Sequence, residues 1–295
     1  MNLCKLCLKN NSLRNSHIFP QFITDWIRNT SVTGKMRAGI TPNIRVQDTK
    51  KTKLLCEDCE RLFSKFEKYF SETIFKPVLN ADNPVLNYDY ELQKFAVSLS
   101  WRMLVVSIQK CPWKMPEHKL AAEKAENQWR NFLLHDTDLH GYEQHLLMLR
   151  LVQGASNIKS TNVNVNWYFF RTIDGTIVQN SKEAFVFMKL PGFVFISPLR
   201  PEPFFQMKGT LIGKKGKLEF YKQVPSSKIF RFLIDRSEET LSYLGTISKR
   251  QKDKIETDYY KNQNKIKDSY GFKLFLAEEE FKKKTFRTNE THNSI

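Results

Sequence analysis

The chain has 295 residues, of which 41% are hydrophobic and 13% aromatic, and it carries a formal net charge of +16 at pH 7. This apolar content supports a sizeable buried core and excludes an intrinsically disordered chain. No segment has the roughly 18 consecutive uncharged apolar residues that a membrane-spanning helix needs, and the first residues lack a signal-peptide apolar stretch. We therefore expect a globular, cytoplasmic protein with no membrane partner.

The positive charge indicates polyanions as partners. Lys and Arg number 47 against 31 Asp and Glu, and such an excess raises the local concentration of polyanions and speeds their encounter with the protein. Nucleic acid is therefore the first partner class to consider. A protein whose lysines only keep it dispersed would have the same composition, so charge alone does not separate the two alternatives.

Four of the five cysteines form two C-x-x-C pairs, Cys4 with Cys7 and Cys56 with Cys59. Zn²⁺ prefers tetrahedral sulfur and nitrogen ligands, and a C-x-x-C turn presents two thiolates to the same ion. In a long chain such pairs favour metal binding in a reducing compartment over a disulfide framework. We therefore predict one structural zinc ion held by these four thiolates, with no open position for catalysis on the ion.

The segment between the cysteine pairs is rich in Thr, Asn, Gly and Lys, which predicts loops and short strands. After Cys56 the apolar side chains recur at helical spacing, which predicts a helix that begins at or just after the second pair. The recurring residues are Leu62, Phe63, Phe66, Phe70 and Ile74. Pro77 and the segment 80–84 mark the break that follows this helix.

Three helices are predicted in the middle of the chain. Residues 90–108 are apolar on nearly every side, which predicts a central buried helix. A second helix is predicted over 117–135 and a third around 142–152. Within the central helix, we expect Arg102 to form a structural ion pair, although a phosphate is an alternative partner for its guanidinium.

Beyond Gly154 the apolar pattern changes towards a period of two, which predicts a small antiparallel sheet. Residues 163–180 indicate a strand, a turn at Asp174-Gly175 and a second strand. Apolar runs at 184–190 and 192–199 continue this pattern.

The segment 209–222 continues the sheet and contains a cluster of lysines. Lys214, Lys215 and Lys217 lie between two predicted strands, as a basic tip that contacts a phosphate backbone or as a solvated turn. From about Ser237 the chain returns to helix and is rich in lysine.

A resemblance to a known family rests on the N-terminal motifs. A cysteine pair, the segment Ser16-His17-Ile18-Phe19-Pro20 and a second cysteine pair that opens a helix resemble the zinc-bound branch of the HNH endonuclease superfamily. In that branch Asp-His-Ile-x-Pro follows the first pair, and His or Asn follows the last cysteine. The segment also resembles a Ser-His-Ile-Ile-Pro variant in poorly characterised bacterial proteins, which we associate with anti-phage defence. The resemblance covers the first quarter of the chain.

This resemblance implies roles for particular residues. His17 stands at the position of the general base that activates water against a phosphodiester, a role that histidine fills because it exchanges protons near neutral pH. Ser16 stands where the family has a metal-binding Asp, and Glu60 where it has His or Asn. A catalytic Mg²⁺ or Mn²⁺ ion would therefore depend on Glu60, with Glu67 two helical turns later on the same face. The family's middle asparagine has no counterpart in residues 50–56.

Two functions remain open on this basis. The first is a metal-dependent endonuclease of bacterial defence that acts on nucleic acid, with DNA expected in preference to RNA. The second is a catalytically inactive zinc module that binds nucleic acid or recruits a partner protein of a defence system. In the second case His17 would brace the hairpin with a hydrogen bond, and Glu60 and Glu67 would be ordinary acids in the early turns of a helix.

The predicted fold class is α+β. A treble-clef zinc module of the ββα-metal type, which the resemblance implies, is followed by a helical middle, a small antiparallel β-sheet and C-terminal helices. The predicted boundaries are 1–80 for the zinc-bound HNH-like module, 81–155 for the helical region, 156–236 for the antiparallel β region and 237–295 for the basic helical region.

Overall fold

The computed structural model describes residues 3–9, 12–81, 85–151, 165–277 and 279–280. The helices in chain order are α1 Gln21–Asn29, α2 Glu57–Tyr69, α3 Lys76–Leu79, α4 Tyr90–Ser107, α5 Pro116–His135, α6 Val165–Arg171, α7 Ser227–Gly245 and α8 Lys249–Lys261. The strands are β1 Leu13–His17, β2 Met36–Arg37, β3 Arg45–Val46, β4 Lys51–Cys56, β5 Val85–Tyr88, β6 His145–Met148, β7 Asp174–Gln179, β8 Ala184–Leu190, β9 Phe193–Pro198, β10 Met207–Lys208, β11 Gly216–Glu219 and β12 Val224–Pro225. The predicted α+β class with small antiparallel sheets is confirmed.

The chain folds as two compact units that interleave along the sequence. The first unit combines Met1–Pro20, Thr49–Met148 and Ile173–Lys228, and the second combines Gln21–Asp48, Leu149–Thr172 and Ile229–Ile295. The organisation predicted from the sequence divides the chain into four consecutive segments instead. Local patterns do not reveal which distant segments pack together, so they cannot show an interleaved arrangement.

The N-terminal part of the first unit is a ββα module. Strands β1 and β4 pair antiparallel, and this strand pair is called the hairpin below, although α1, β2 and β3 lie between the two strands in the chain. Strand β4 leads directly into α2. Helix α2 begins at Glu57, immediately after the second cysteine pair opens, as the apolar spacing predicts. Its buried side chains include Phe63 and Phe66, and a π-helical turn at Phe70–Phe75 joins it to α3.

Helix α4 is the centre of the first unit. Every residue from Leu92 to Leu104 is buried, because α4 is packed against α2, α5 and strands β7, β8 and β9. The prediction of a central buried helix is therefore confirmed, and so is the second helix, observed as α5.

The main sheet of the first unit is antiparallel, with strand order β6-β9-β8-β7. All residues of β8 and β9 are buried. The rings of Phe70 and Phe95 stack with centroids 4.0 Å apart, and Phe193 and Phe195 meet Phe70 edge-on at 5.3 and 5.6 Å. This aromatic cluster joins the end of the ββα module to the sheet.

The second unit contains α1, the β2–β3 pair, α6, α7, α8 and a helical segment at 270–277. Arg171 at the end of α6 donates hydrogen bonds to the Thr30 hydroxyl and the Ile27 carbonyl, both at 2.7 Å. Burial lowers the pKa of Arg171 to about 10. The rings of Trp26 and Tyr270 meet edge-on at 5.0 Å.

Two predicted elements are wrong. The helix expected around 142–152 is not formed by the described residues of that segment, 142–151, where His145–Met148 forms β6, which pairs with β9. In 163–180 the first segment is helix α6, and Asp174 and Gly175 open β7 instead of forming a turn; residues 163–164 lie outside the described chain. Both errors concern short apolar runs, in which the spacing of the apolar residues alone does not distinguish a buried strand from a buried helix.

Two helices also differ from the prediction. Helix α1 lies in the segment expected to hold loops and short strands, where Ile23 and Ile27 are buried at helical spacing. Helix α7 begins at Ser227, before the expected start near Ser237. None of the described helices is both long enough and apolar enough to cross a bilayer.

Candidate metal centre

The two cysteine pairs converge on one point. The Sγ atoms of Cys4, Cys7, Cys56 and Cys59 all lie within 4.8 Å of one another. The Sγ atoms of Cys7 and Cys56 are 3.8 Å apart, which matches the sulfur–sulfur edge of about 3.8 Å in a tetrahedron with metal–sulfur bonds of about 2.3 Å. The four predicted ligands are therefore together in a geometry that fits one metal ion.

Main-chain contacts hold each cysteine pair in place. The amide of Leu8 donates to the Cys4 carbonyl at 2.9 Å, and the amide of Lys5 donates to the Leu54 carbonyl of β4 at 3.0 Å. Leu8 adopts a left-handed φ of 58°, a conformation that costs a non-glycine residue roughly 1–2 kcal/mol. Cys56 ends β4 and caps the N-terminus of α2, and Cys59 lies in the first helical turn.

The electrostatics of the cluster favour a bound cation. A hydrogen bond from Cys59 lowers the pKa of Cys4 to about 4. The same contact raises the pKa of Cys59, and burial raises the pKa of Cys56. A single thiolate, at Cys4, is therefore stable while the neighbouring cysteines keep their protons. Deprotonating those neighbours would place like charges beside it. The positive charge of a divalent cation would offset this repulsion, and the four coordinated thiols would then lose their protons.

Ser16 is a structural residue of the hairpin. It is 1% exposed, and its Oγ atom accepts a hydrogen bond from the Leu55 amide at 3.1 Å. The strand register pairs Ser16 with Thr52, on the inner face of the hairpin. A neutral, buried hydroxyl is a poor ligand for Mg²⁺, which is usually bound through carboxylates and phosphates.

His17 lies on the opposite, outer face of the same hairpin, where it is partly exposed. The register pairs His17 with Lys51 and Asn15 with Lys53. Directly opposed residues share a face and have Cβ atoms about 4.5–5.5 Å apart. Lys53 donates a hydrogen bond to the Leu13 carbonyl at 3.0 Å. The histidine is therefore placed beside the lysine at position 51.

Arg102 of α4 holds the main chain at His17 from the buried side. Its Nη1 atom donates to the His17 carbonyl at 3.1 Å and to Glu67 Oε1 at 2.7 Å, and its Nε atom donates to the Ser98 carbonyl at 3.2 Å. Arg102 is 2% exposed, and its guanidinium lies over the Phe63 ring. The structural ion pair expected for Arg102 is confirmed, and its acidic partner is the carboxylate of Glu67.

Arg102→Leu should lower the free energy of unfolding by about 3 kcal/mol, because removing one partner of a buried ion pair leaves the other uncompensated. Arg61→Leu is the matched control. Arg61 forms an exposed pair with Asp58 within the same module, and such pairs contribute less than about 1 kcal/mol. Urea denaturation measures both variants, and equal losses would contradict the bracing role of Arg102.

Glu60 follows Cys59 in the first turn of α2, and its Oε1 atom is buried without a hydrogen-bond partner among the described residues. The pair of acidic ligands considered in the sequence analysis, Glu60 and Glu67, is not available as a pair, because Glu67 forms an ion pair with Arg102. Within the described residues, the four cysteines are the only group of three or more His, Cys, Asp or Glu side chains close enough to share a metal ion. Among the described residues, Glu60 is therefore the one expected acidic ligand for Mg²⁺ or Mn²⁺ whose carboxylate has a buried oxygen without a hydrogen-bond partner.

The predicted basic tip precedes strand β11. Lys214, Lys215 and Lys217 are all exposed, and Lys217 lies in β11 with its Nζ atom 2.9 Å from Glu219 Oε1. Strand β11 pairs with β5 and not with the strand segment that immediately precedes it. Ion pairing and hydrogen bonds from Lys222, Tyr221 and Lys217 lower the pKa of Glu219 to about 2. The charge of Lys217 is therefore partly neutralised by Glu219, although its side chain is exposed like those of Lys214 and Lys215.

A second polar cluster in the first unit is largely buried. His145 makes 3.0 Å contacts with the Thr210 hydroxyl through Nδ1 and with Glu143 through Nε2. This arrangement contains a hydroxyl, an imidazole and a carboxylate, as a nucleophile with its base would. Thr210 has no exposed surface and His145 only 3%. The cluster therefore satisfies buried polar groups and offers no entry to a substrate.

The pairing of His17 with Lys51 is a feature of this strand pair that the sequence analysis did not predict. A signal was present, because Lys51 and Lys53 are two residues apart in a strand and therefore share a face. The pairing of Lys51 with His17 depends on the register between two segments separated by a long connection. That register is not encoded in either segment alone.

The chain has no match among protein-family models, curated proteins or solved structures.

Proposed function

We propose that the chain is a zinc-stabilised nucleic-acid-binding protein whose N-terminal module hydrolyses phosphodiesters in bacterial anti-phage defence, with His17 as the general base. The observation that carries this proposal is the position of His17. It lies on the outer face of a hairpin that is fixed at one end by the cysteine cluster and on its buried side by Arg102. A rigid support of this kind is what a positioned general base requires.

Zinc is the metal that best suits the cysteine cluster. Four thiolates in a tetrahedron match the preference of Zn²⁺, and hard cations such as Mg²⁺ prefer oxygen ligands. Four protein ligands leave no open coordination position. The zinc ion therefore stabilises the module and takes no part in the reaction.

The proposed reaction begins when the imidazole of His17 takes a proton from a water molecule. The water oxygen then forms a bond to phosphorus, and the bond from phosphorus to the leaving sugar oxygen breaks with its electron pair on that oxygen. A proton from solvent neutralises the leaving oxygen. The products are a phosphate monoester and a free hydroxyl, and His17 returns its proton to solvent.

A catalytically inactive module is the second candidate function. It is favoured by the structural use of two positions at which the resemblance implies catalysis. The hydroxyl of Ser16 accepts a hydrogen bond from Leu55, and the carboxylate of Glu67 pairs with Arg102. In this case the module binds nucleic acid or recruits a partner protein without cleaving anything.

Nucleic-acid binding should depend steeply on salt. A protein with a charge of +16 releases counterions from the phosphate backbone on contact, so its affinity should fall by at least about tenfold between 50 and 200 mM salt. Fluorescence anisotropy with labelled double-stranded DNA, single-stranded DNA and RNA measures the effect. Undetectable binding to all three at about 50 mM salt would indicate a protein partner instead.

Cleavage is tested with supercoiled plasmid and end-labelled single strands, each with Mg²⁺, with Mn²⁺ or without added divalent cations. Nicked or linear plasmid, or shortened single strands, supports the proposed hydrolysis. Intact substrates under every condition, from a protein that binds them, would favour the inactive module.

A further inference from the structure

The β2–β3 strand pair of the second unit places two arginines side by side. The register opposes Arg37 to Arg45, and like charges directly opposite each other destabilise a strand pair. Burial and the nearby charge of Arg45 both lower the pKa of Arg37. This concentration of positive charge costs folding free energy unless anions lie close to it. The groups around the two guanidinium groups therefore decide what the pair can bind.

Both arginines contact helix α8. The Nη2 atom of Arg45 lies 2.9 Å from Asp258 Oδ2 in an ion pair. Arg37 donates to two neutral acceptors, the Pro42 carbonyl at 2.7 Å and Gln251 Oε1 at 3.2 Å. Gln251 and Asp258 are seven residues apart, so they lie two turns apart on one face of the helix, separated by about 10 Å along its axis. Among these contacts of the two arginines, one carboxylate faces two positive charges.

Two exposed lysines of α8, Lys254 and Lys261, extend this line of positive charge. Lys254 precedes Asp258 by four residues and Lys261 follows it by three, and residues at these spacings are neighbours on a helix surface. Asp258 is the only acid three or four residues away from either lysine in the sequence, and Arg45 already pairs with it. The two lysines therefore share one acidic neighbour along the helix, and an arginine has engaged that neighbour.

We call the four cations Arg37, Arg45, Lys254 and Lys261 the basic row. From Gln251, which Arg37 contacts, to Lys261 the helix rises about 15 Å, at about 1.5 Å per residue. One strand of a nucleic-acid duplex carries a phosphate every 3.4 Å or so of axis, and about four phosphates therefore cover the same length. The number and the spacing of the positive charges in the basic row match those of a phosphate backbone.

The opposite side of α8 has a different charge pattern. Lys249 and Lys252 are also exposed, but each has an acid four residues later, Asp253 and Glu256 respectively. At this spacing opposite charges are neighbours on the helix surface and attract each other. At about 100° per residue, these two lysines lie roughly 120–180° around the axis from the lysines of the basic row. A phosphate at Lys249 and Lys252 would meet adjacent carboxylates, so this side of the helix provides a matched control.

We propose that the basic row is the surface with which the second unit binds the phosphate backbone of a nucleic acid. The inference rests on the nucleic-acid binding of the proposed function and adds the surface that makes the contact; it does not depend on cleavage. The cations contact non-bridging phosphate oxygens, and the release of counterions from the backbone drives the association. Such contacts position a strand without reading its bases, so the basic row binds single and double strands with little sequence preference.

The test compares two double variants of the full chain, each of which loses two positive charges from α8. The row variant carries Lys254→Gln and Lys261→Gln, and the control variant carries Lys249→Gln and Lys252→Gln. Glutamine has nearly the helix propensity of lysine, so α8 should persist in both variants, which circular dichroism verifies. Fluorescence anisotropy with a labelled DNA duplex gives the dissociation constant at several salt concentrations between about 50 and 200 mM.

The row variant should raise the dissociation constant at about 100 mM salt by at least about tenfold. It should also reduce the slope of log affinity against log salt by about 1.8, because each phosphate contact with duplex DNA contributes about 0.9. With single-stranded DNA the reduction should be about 1.4, since each contact there contributes about 0.7. The control variant should change the dissociation constant less than about threefold and the slope by less than about 0.5.

The outcomes separate this inference from the proposed function. Equal losses in the row and control variants overturn the role of the basic row and leave the proposed function standing, because net charge would then explain both. A row variant with the wild-type salt slope has the same consequence. Vesicles of phosphatidylcholine and phosphatidylserine test a membrane surface as the source of phosphate. Vesicle binding that the row variant loses while it keeps its affinity for DNA overturns the inference. Wild-type protein that binds no nucleic acid at about 50 mM salt overturns both proposals.

Discussion

Cys56→Ser is expected to abolish stoichiometric zinc binding and to unfold the N-terminal module. Cys56 is the last residue of β4 and the N-cap residue of α2. Its Sγ atom lies 3.8 Å from that of Cys7, so it brings the second cysteine pair against the first. Serine is a far weaker ligand for zinc than a thiolate. In structural sites the binding free energy of the metal is folding free energy, which amounts to about 10–16 kcal/mol in small zinc domains.

We expect the zinc content to fall from one ion per chain to near zero and the melting temperature to fall by more than about 10 °C, since several kcal/mol are lost. Elemental analysis and thermal denaturation measure the two effects. Cys111→Ser is the matched control, because Cys111 lies outside the cluster and its sulfur accepts a hydrogen bond from Gln179. A Cys56→Ser protein that keeps its zinc and its melting temperature would refute the ligand assignment.

His17→Ala is expected to lower the cleavage rate by roughly a hundredfold or more, which is the usual effect of losing a general base. Zinc content and nucleic-acid affinity should remain nearly unchanged, since Arg102 contacts the main-chain carbonyl of His17 and not its side chain. Single-turnover cleavage, elemental analysis and anisotropy give the three readings.

His135→Ala is the control for this variant, because His135 is an exposed residue at the end of α5. Its rate should equal that of wild type. Full activity in His17→Ala would place the reaction elsewhere in the chain or in a contaminant. A His17→Ala protein that loses its zinc and unfolds would show that the side chain braces the hairpin.

The sequence by itself determined the candidate metal ligands and several of the long helices. A C-x-x-C turn brings two thiols together within four residues, so its chemistry is local and independent of the rest of the fold. Helices α2, α4 and α5 were predictable because they are long enough for their apolar spacing to be unambiguous. Strands β8 and β9 were predictable because their short apolar runs are rich in Phe, Val and Ile and are bounded by Pro and Gly, which favours strands over helices.

The tertiary structure decided which distant residues meet. The apolar run at His145–Met148 became a strand because β9 supplied its hydrogen-bond partners, and propensity is weaker than such pairing. The opposition of His17 and Lys51 came from the β1–β4 register, and the use of Glu67 came from its ion pair with Arg102 on another helix. These contacts join segments far apart in the chain, and their free energies depend on packing and burial that no local pattern contains.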